Sequence, residues 1–183
     1  YNLMPAVDRW VLKHAFRILK AHTVNGSRPT FSINLSGASI ADERMLDYIQ
    51  DLFSVSEVDP SQICFEITET TAIANMTRAT SFIRRLKALG ATFALDDFGN
   101  GFSSFAYLKH LPVDYLKIDG SFVRGIADDP IDFALVESVN NIGHVIGMKT
   151  IAEYVKDERI QQILQEMGVD YLQGYQIAKP EPL

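Results

Sequence analysis

The sequence predicts an α/β protein, a TIM-type (β/α)₈ barrel of which about six βα units are visible, incomplete at the N-terminus. Three observations predict it. Short runs rich in Ile, Val, Phe, Tyr and Thr alternate with amphipathic helical runs along the whole chain, the pattern of parallel strands joined by crossover helices. No G-x-G-x-x-G turn follows the first strand, and Gly99-Asn100-Gly101 lacks that spacing, so a doubly wound nucleotide-binding sheet is disfavoured. Polar residues recur at the end of each strand-like run, where a parallel barrel gathers them on its C-terminal rim.

The elements follow in order. Strands are expected at residues 30–36, 63–70, 92–98, 115–119, 149–155 and 171–177, and helices at 5–22, 41–53, 76–89, 104–110, 131–146 and 157–167. Helical spacing is plain in Phe82, Leu86 and Leu89, and again in Ile160, Ile163, Leu164 and Met167. Gly90, Gly147 and Gly168 stand where helices should end. Asp59-Pro60 and Asp129-Pro130 read as turns or helix starts. No linker or low-complexity tract interrupts the chain, so residues 1–183 are expected to form one domain. A full barrel takes about 250 residues, and missing N-terminal sequence accounts for the two remaining units.

Composition narrows the function. The 183 residues are 47% hydrophobic and 22% charged, an ordinary globular mixture. A net charge of −6 argues against a DNA or RNA polymer as partner, yet leaves room for one compact phosphate ligand held through bound cations. The single cysteine, Cys64, excludes an internal disulfide, and no apolar run reaches the roughly 20 residues that cross a bilayer. A cytoplasmic location is expected. Trp10, Cys64 and the phenylalanines are expected in the core.

The chemistry lies at the strand ends. In order these carry Asn34, Glu66 and Glu69, Asp96-Asp97, Lys117 and Asp119, Glu153, and Gln173. Any one of these carboxylates is more often a helix cap or a solvated loop residue than a ligand. Crowded on one rim, however, they would repel one another unless cations sat between them. An oxygen-only donor set suits Mg²⁺ or Mn²⁺, since none of the four histidines falls at a strand end. Lys117 alternates with Leu116 and Ile118, which points its ammonium into the barrel beside those acids. Such a rim suits two-metal hydrolysis of a phosphodiester, with Lys117 orienting or deprotonating the water.

Together, Asn34-Leu35-Ser36, Glu66-Ile67-Thr68-Glu69-Thr70, Asp96-Asp97-Phe98-Gly99-Asn100-Gly101-Phe102-Ser103-Ser104, Leu116-Lys117-Ile118-Asp119, Ala152-Glu153 and Gln173-Gly174-Tyr175 resemble the EAL-domain family of cyclic di-GMP phosphodiesterases. The resemblance runs through the whole chain in the family's order. It implies a barrel that hydrolyses cyclic di-GMP to pGpG with Mg²⁺ or Mn²⁺. It implies Asn34, Glu66 and Asp96 as metal ligands, with Asp97 and Glu153 serving a second metal. By the same resemblance Lys117 acts on the catalytic water, Gln173 holds that water or the metal site, and Asp119 meets substrate. Glu69 is implied as the anchor of the loop following Asp97, and that loop and its following helix imply a homodimer. Fusion to sensory or cyclase domains, in a parent protein that can be held at a membrane, is a further implication.

The departures are specific. The family's Glu-Ala-Leu, whose glutamate is a metal ligand, is not in residues 1–183 and is expected upstream of Tyr1, together with an arginine for a substrate phosphate. As cut, the chain is therefore expected to be weakly active or inactive. The family's Ala-Glu-Gly-Val-Glu block reads Ala152-Glu153-Tyr154-Val155-Lys156, and Asn100 and Phe102 replace Thr and Tyr. Two alternatives stay open: a degenerate domain that binds cyclic di-GMP without cleaving it, and a different divalent-metal barrel enzyme of the enolase type.

Overall fold

In a computed structural model, residues 3–24, 28–99 and 105–181 are described. Asn100, Phe102 and Ser104, and with them most of the loop expected to carry the dimer contact, lie outside these residues. The chain alternates strands and helices, and the six strands are ordered β1-β2-β3-β4-β5-β6 in one sheet. That order, each strand beside its sequence neighbour, is the one expected of consecutive βα units.

Two compact units divide the chain inside the third strand. The first runs through Ala94 and takes in His110–Pro112. It holds α1 (Met4–Val24), β1 (Phe31–Asn34), α2 (Gly37–Ala41), α3 (Glu43–Ser56), β2 (Ile63–Thr68), α4 (Glu69–Ala74), α5 (Met76–Lys87) and the first half of β3 (Thr92–Phe98). β1 and β2 pair in parallel with Asn34 opposite Glu66, and Leu35 N–H donates to the Glu66 carbonyl at 2.9 Å, so the ladder continues past the last strand residue. On α1 the buried residues Leu12, Phe16 and Leu19 follow the 3.6-residue repeat and meet α3, where Phe16 and Phe53 rings lie 4.9 Å apart. Phe93 takes the rings of Phe65 and Phe82 at 5.3 and 6.5 Å.

Trp10 corrects the sequence reading. It lies two residues from buried Leu12, about 200° around the helix. Its ring is 62% exposed, stacked on His14 at 3.9 Å rather than in the core. Phe105 and Phe133 are exposed as well.

The second unit holds the rest of β3, a 3₁₀ turn at Phe105–His110, β4 (Tyr115–Ile118), α6 (Gly120–Val123), α7 (Pro130–Ile146), β5 (Lys149–Ala152), α8 (Glu158–Glu166) and β6 (Tyr171–Leu172). Its interior is aliphatic, from Leu95, Leu116, Ile118, Val136, Ile160 and Leu164 among others. Strand pairing again runs one residue beyond the strands. Asp119 N–H reaches the Phe98 carbonyl, Glu153 N–H reaches Ile118, and Gln173 N–H reaches Ala152. These bonds align the C-terminal ends of β3, β4, β5 and β6.

Most strands are shorter than the sequence suggests, because polar caps divert the chain. Thr68 caps α4, so Glu69 and Thr70 are helical, and Asp119 caps α6 through Ser121 N–H at 2.6 Å. The expected strand at 171–177 stops at Leu172, after which the chain turns around Val155 and closes two hydrogen bonds on the Gly174 carbonyl. Gly147 and Gly168 end their helices at positive φ as expected, and Asp129 caps α7 ahead of Pro130.

Candidate functional site

The polar strand ends of the second unit converge. Lys117, on β4, is only 3% exposed, and its Nζ lies 2.8 Å from Asp96 Oδ1 of β3 and 2.7 Å from Glu153 Oε1 just after β5. In the β4–β5 register Lys117 pairs with Ile151, so Glu153 lies two residues further along on the same face, and its side chain and that of Asp96 meet the ammonium between them. A buried ammonium is costly unless it is paired, and two carboxylates meet that cost here.

Asp97 follows Asp96 but turns away from strand geometry, with φ +55°. Asp96, Asp97 and Glu153 each place a carboxylate oxygen within 4.8 Å of the others. Burial pushes the Glu153 carboxyl above its ordinary value; the Lys117 ammonium pulls it back, and Asp96 and Asp97 push it further up. Asp97 is raised too, by burial first and then by Asp96 and Asp119, against Lys117. The one lysine therefore does not neutralise the cluster.

This donor set fits a divalent cation. Among the described residues three oxygens converge with no sulfur or imidazole joining them, and Asp96 Oδ1 is buried with no hydrogen bond. Its contact with Lys117 has the distance of an ion pair without the angles of a hydrogen bond. Asp119, also buried, spends one carboxylate oxygen on the α6 cap, and Gln173 is exposed at the end of β6. Gly174 passes so close to the Val155 backbone that any side chain there would overlap it, which fixes the Gln173 backbone against β5.

In the first unit, Asn34 and Glu66 share a rung of β1 and β2, Asn34 exposed and Glu66 buried. Glu69 is buried at the first residue of α4. The sequence reading missed Asp8. Buried on α1, it accepts from the Ser36 N–H and hydroxyl and from the Ser39 hydroxyl, at 3.0, 2.7 and 2.6 Å, and so holds the turn that follows Asn34. It missed Arg124 as well, whose guanidinium lies 4.1 Å over the Tyr154 ring. The substitution of Tyr for the family's glycine was the only signal for that pair.

The chain is similar to curated proteins along its whole length. Cyclic di-GMP phosphodiesterase PdeB of Shewanella oneidensis is 44% identical over the whole chain, PdeF of Escherichia coli 36%, and PdeA of Borreliella burgdorferi 39%. The chain spans about a quarter of these relatives, 21%, 24% and 27% of their lengths. Among solved structures, the PaMucR phosphodiesterase in complex with c-di-GMP superposes with a TM-score of 0.93 at 32% identity, covering 98% of this chain and 73% of that one. The Xanthomonas citri FimX EAL domain in complex with c-diGMP gives 0.93 at 26% identity, covering 100% of this chain and 72% of that one. Six parallel strands with alternating helices, part of the TIM-like EAL barrel, are thus present. The EAL domain profile matches residues 1–180, and the chain belongs to the EAL domain family.

Proposed function

We propose that this chain carries metal-binding and water-handling residues of a site that hydrolyses cyclic di-GMP to pGpG. The observation that carries the reading is Lys117, buried and held between Asp96 and Glu153 with the Asp97 carboxylate beside them. Asp96, Asp97 and Glu153 are the proposed ligands in the second unit, and Asn34 and Glu66 those in the first. Mg²⁺ or Mn²⁺, when bound, would supply electrostatic stabilisation of the phosphodiester and activation of water.

The chain's own residues do the rest. Lys117 positions the attacking water and takes or balances its proton, while Asp96 and Glu153 fix the ammonium in place. Gln173 holds water at the edge of the site, Asp119 faces substrate, and Glu69 anchors the loop after Asp97. A single EAL domain in a cytoplasmic, homodimeric parent with sensory or cyclase domains completes the proposal. In support, the curated relatives are far longer than this chain, and one, MucR of Pseudomonas aeruginosa, is named a bifunctional diguanylate cyclase/cyclic di-GMP phosphodiesterase. Among the described residues no helix is long and apolar enough to cross a membrane.

The test is turnover of cyclic di-GMP with Mg²⁺ and with Mn²⁺. It is run on this chain alone and joined to the Glu-Ala-Leu strand that the family resemblance places upstream. Formation of pGpG by the joined form, lost in Lys117→Ala, is expected. Tight binding without pGpG would make the domain a receptor, a reading favoured by Lys156 where the family carries a carboxylate. Neither binding nor turnover would overturn both.

A further inference from the structure

Tyr154 stands directly after Glu153, where the family resemblance would place a glycine. Its backbone keeps the left-handed conformation that suits glycine, φ +54°. A tyrosine there is strained, yet the residue is 57% exposed and so gains little from burial. Two features of the second unit accommodate it. Gly120 opens α6, and any side chain on it would overlap the Tyr154 ring. Arg124, one helical turn on, lays its guanidinium 4.1 Å from the ring centroid. Gly120 and Arg124 lie on one face of that turn, so they back the ring from α6 and leave the remaining surface to solvent. Lys156 ties the same segment down by donating to the Arg124 carbonyl at 3.1 Å.

A strained, exposed aromatic, backed by a cation and next to a site carboxylate, has the form of a stacking surface. We infer that Tyr154, stiffened by Arg124, is a platform on which one guanine base of the substrate stacks. This rests on the cyclic di-GMP reading above and adds a base-recognising residue to it. A π-face at the rim contributes affinity for the purine without touching the phosphodiester under attack. Arg124 also sets a positive charge against the ring, which favours an anionic ligand there.

The experiment is calorimetric titration of this chain joined to the Glu-Ala-Leu strand, as in the turnover test above, with cyclic di-GMP, and with GMP and ribose 5-phosphate as base-bearing and base-free probes. The variants are Tyr154→Gly, Tyr154→Phe and Arg124→Gln. Tyr154→Gly removes the ring and relieves the backbone, so the fold should keep or gain thermal stability. The expected result is about a ten-fold rise in the dissociation constants for cyclic di-GMP and GMP in Tyr154→Gly, with ribose 5-phosphate unchanged. Tyr154→Phe should retain wild-type affinity, and Arg124→Gln should fall between. Equal binding by wild type and Tyr154→Gly overturns the platform and leaves the phosphodiesterase reading intact, as does an equal loss for GMP and ribose 5-phosphate. No binding of cyclic di-GMP by the wild type overturns the platform and the substrate reading together.

Discussion

Lys117 and Asp8 show how much a single buried polar residue decides in this chain. Lys117 is surrounded by aliphatic neighbours on its own strand and by carboxylates on the two adjoining strands. Lys117→Ala is expected to lower kcat by about 10²–10⁴-fold while leaving the cyclic di-GMP dissociation constant within about three-fold, in steady-state turnover and equilibrium binding on the same protein. A parallel loss of affinity would make it a binding residue. Its inward direction was legible, because period-two alternation between Leu116 and Ile118 leaves no other choice. Asp8 was not. Its three acceptor contacts reach residues 28 and 31 positions away, and nothing local distinguishes it from the solvated acids of other helices. Asp8→Ala should cost about 2–3 kcal/mol of stability by urea denaturation, since it strands hydroxyl and N–H donors in a buried turn.

Caps set the lengths of the elements. Ser36, Thr68 and Asp119 each start a helix of four to six residues immediately after a strand. Helices so short carry no readable 3.6 repeat, which is why α2, α4 and α6 were absent from the sequence reading while α5, α7 and α8 were plain. At the other end of α3, Glu57 occupies the left-handed C-cap at φ +60° and pairs with Lys20 only on the exposed surface. Glu57→Gly should therefore stabilise the protein by about 0.5–1 kcal/mol, because backbone relief outweighs a solvated ion pair. Asp170 joins α7 to β5. Burial raises its carboxyl, but the Thr150 N–H, His144 and the Thr150 hydroxyl outweigh that and hold it below its ordinary value. A carboxyl lowered on folding contributes stability that is fully present above its unfolded value of about 3.9 and is lost as pH falls through the folded value. Asp170→Asn should lower the melting temperature near neutrality and remove part of the acid-side decline, as read from thermal melts across pH 3–7.

For the whole molecule, the governing feature is uncompensated negative charge at the end of β3 and β5. Asp97 and Glu153 have carboxyls raised on folding, so stability falls as pH rises from their unfolded values through their folded ones. A cation that binds only the folded state reverses that loss. Mg²⁺ or Mn²⁺ at about 100 times its dissociation constant should add about 2.7 kcal/mol. The apparent melting temperature should rise at neutral pH and much less near pH 4. In Glu153→Gln and Asp96→Asn the metal-dependent rise should shrink or vanish; an undiminished rise would place the cation elsewhere.

The sequence by itself determined the order of the strands and the longer helices, the parallel fold class, and the set of strand-end residues. Each of these depends on local periodicity and on residue type. Only the tertiary structure decided which side chains meet. Asp96 and Lys117 lie on two strands and Glu153 just after a third, and their contacts depend on a register that no single segment encodes. It also turned Trp10 outward, gave Asp8 its partners, and set Tyr154 against Gly120 and Arg124. Except for Trp10, whose direction follows from its phase on α1, the deciding energy is a contact between segments distant in the chain, and local sequence carries no record of it.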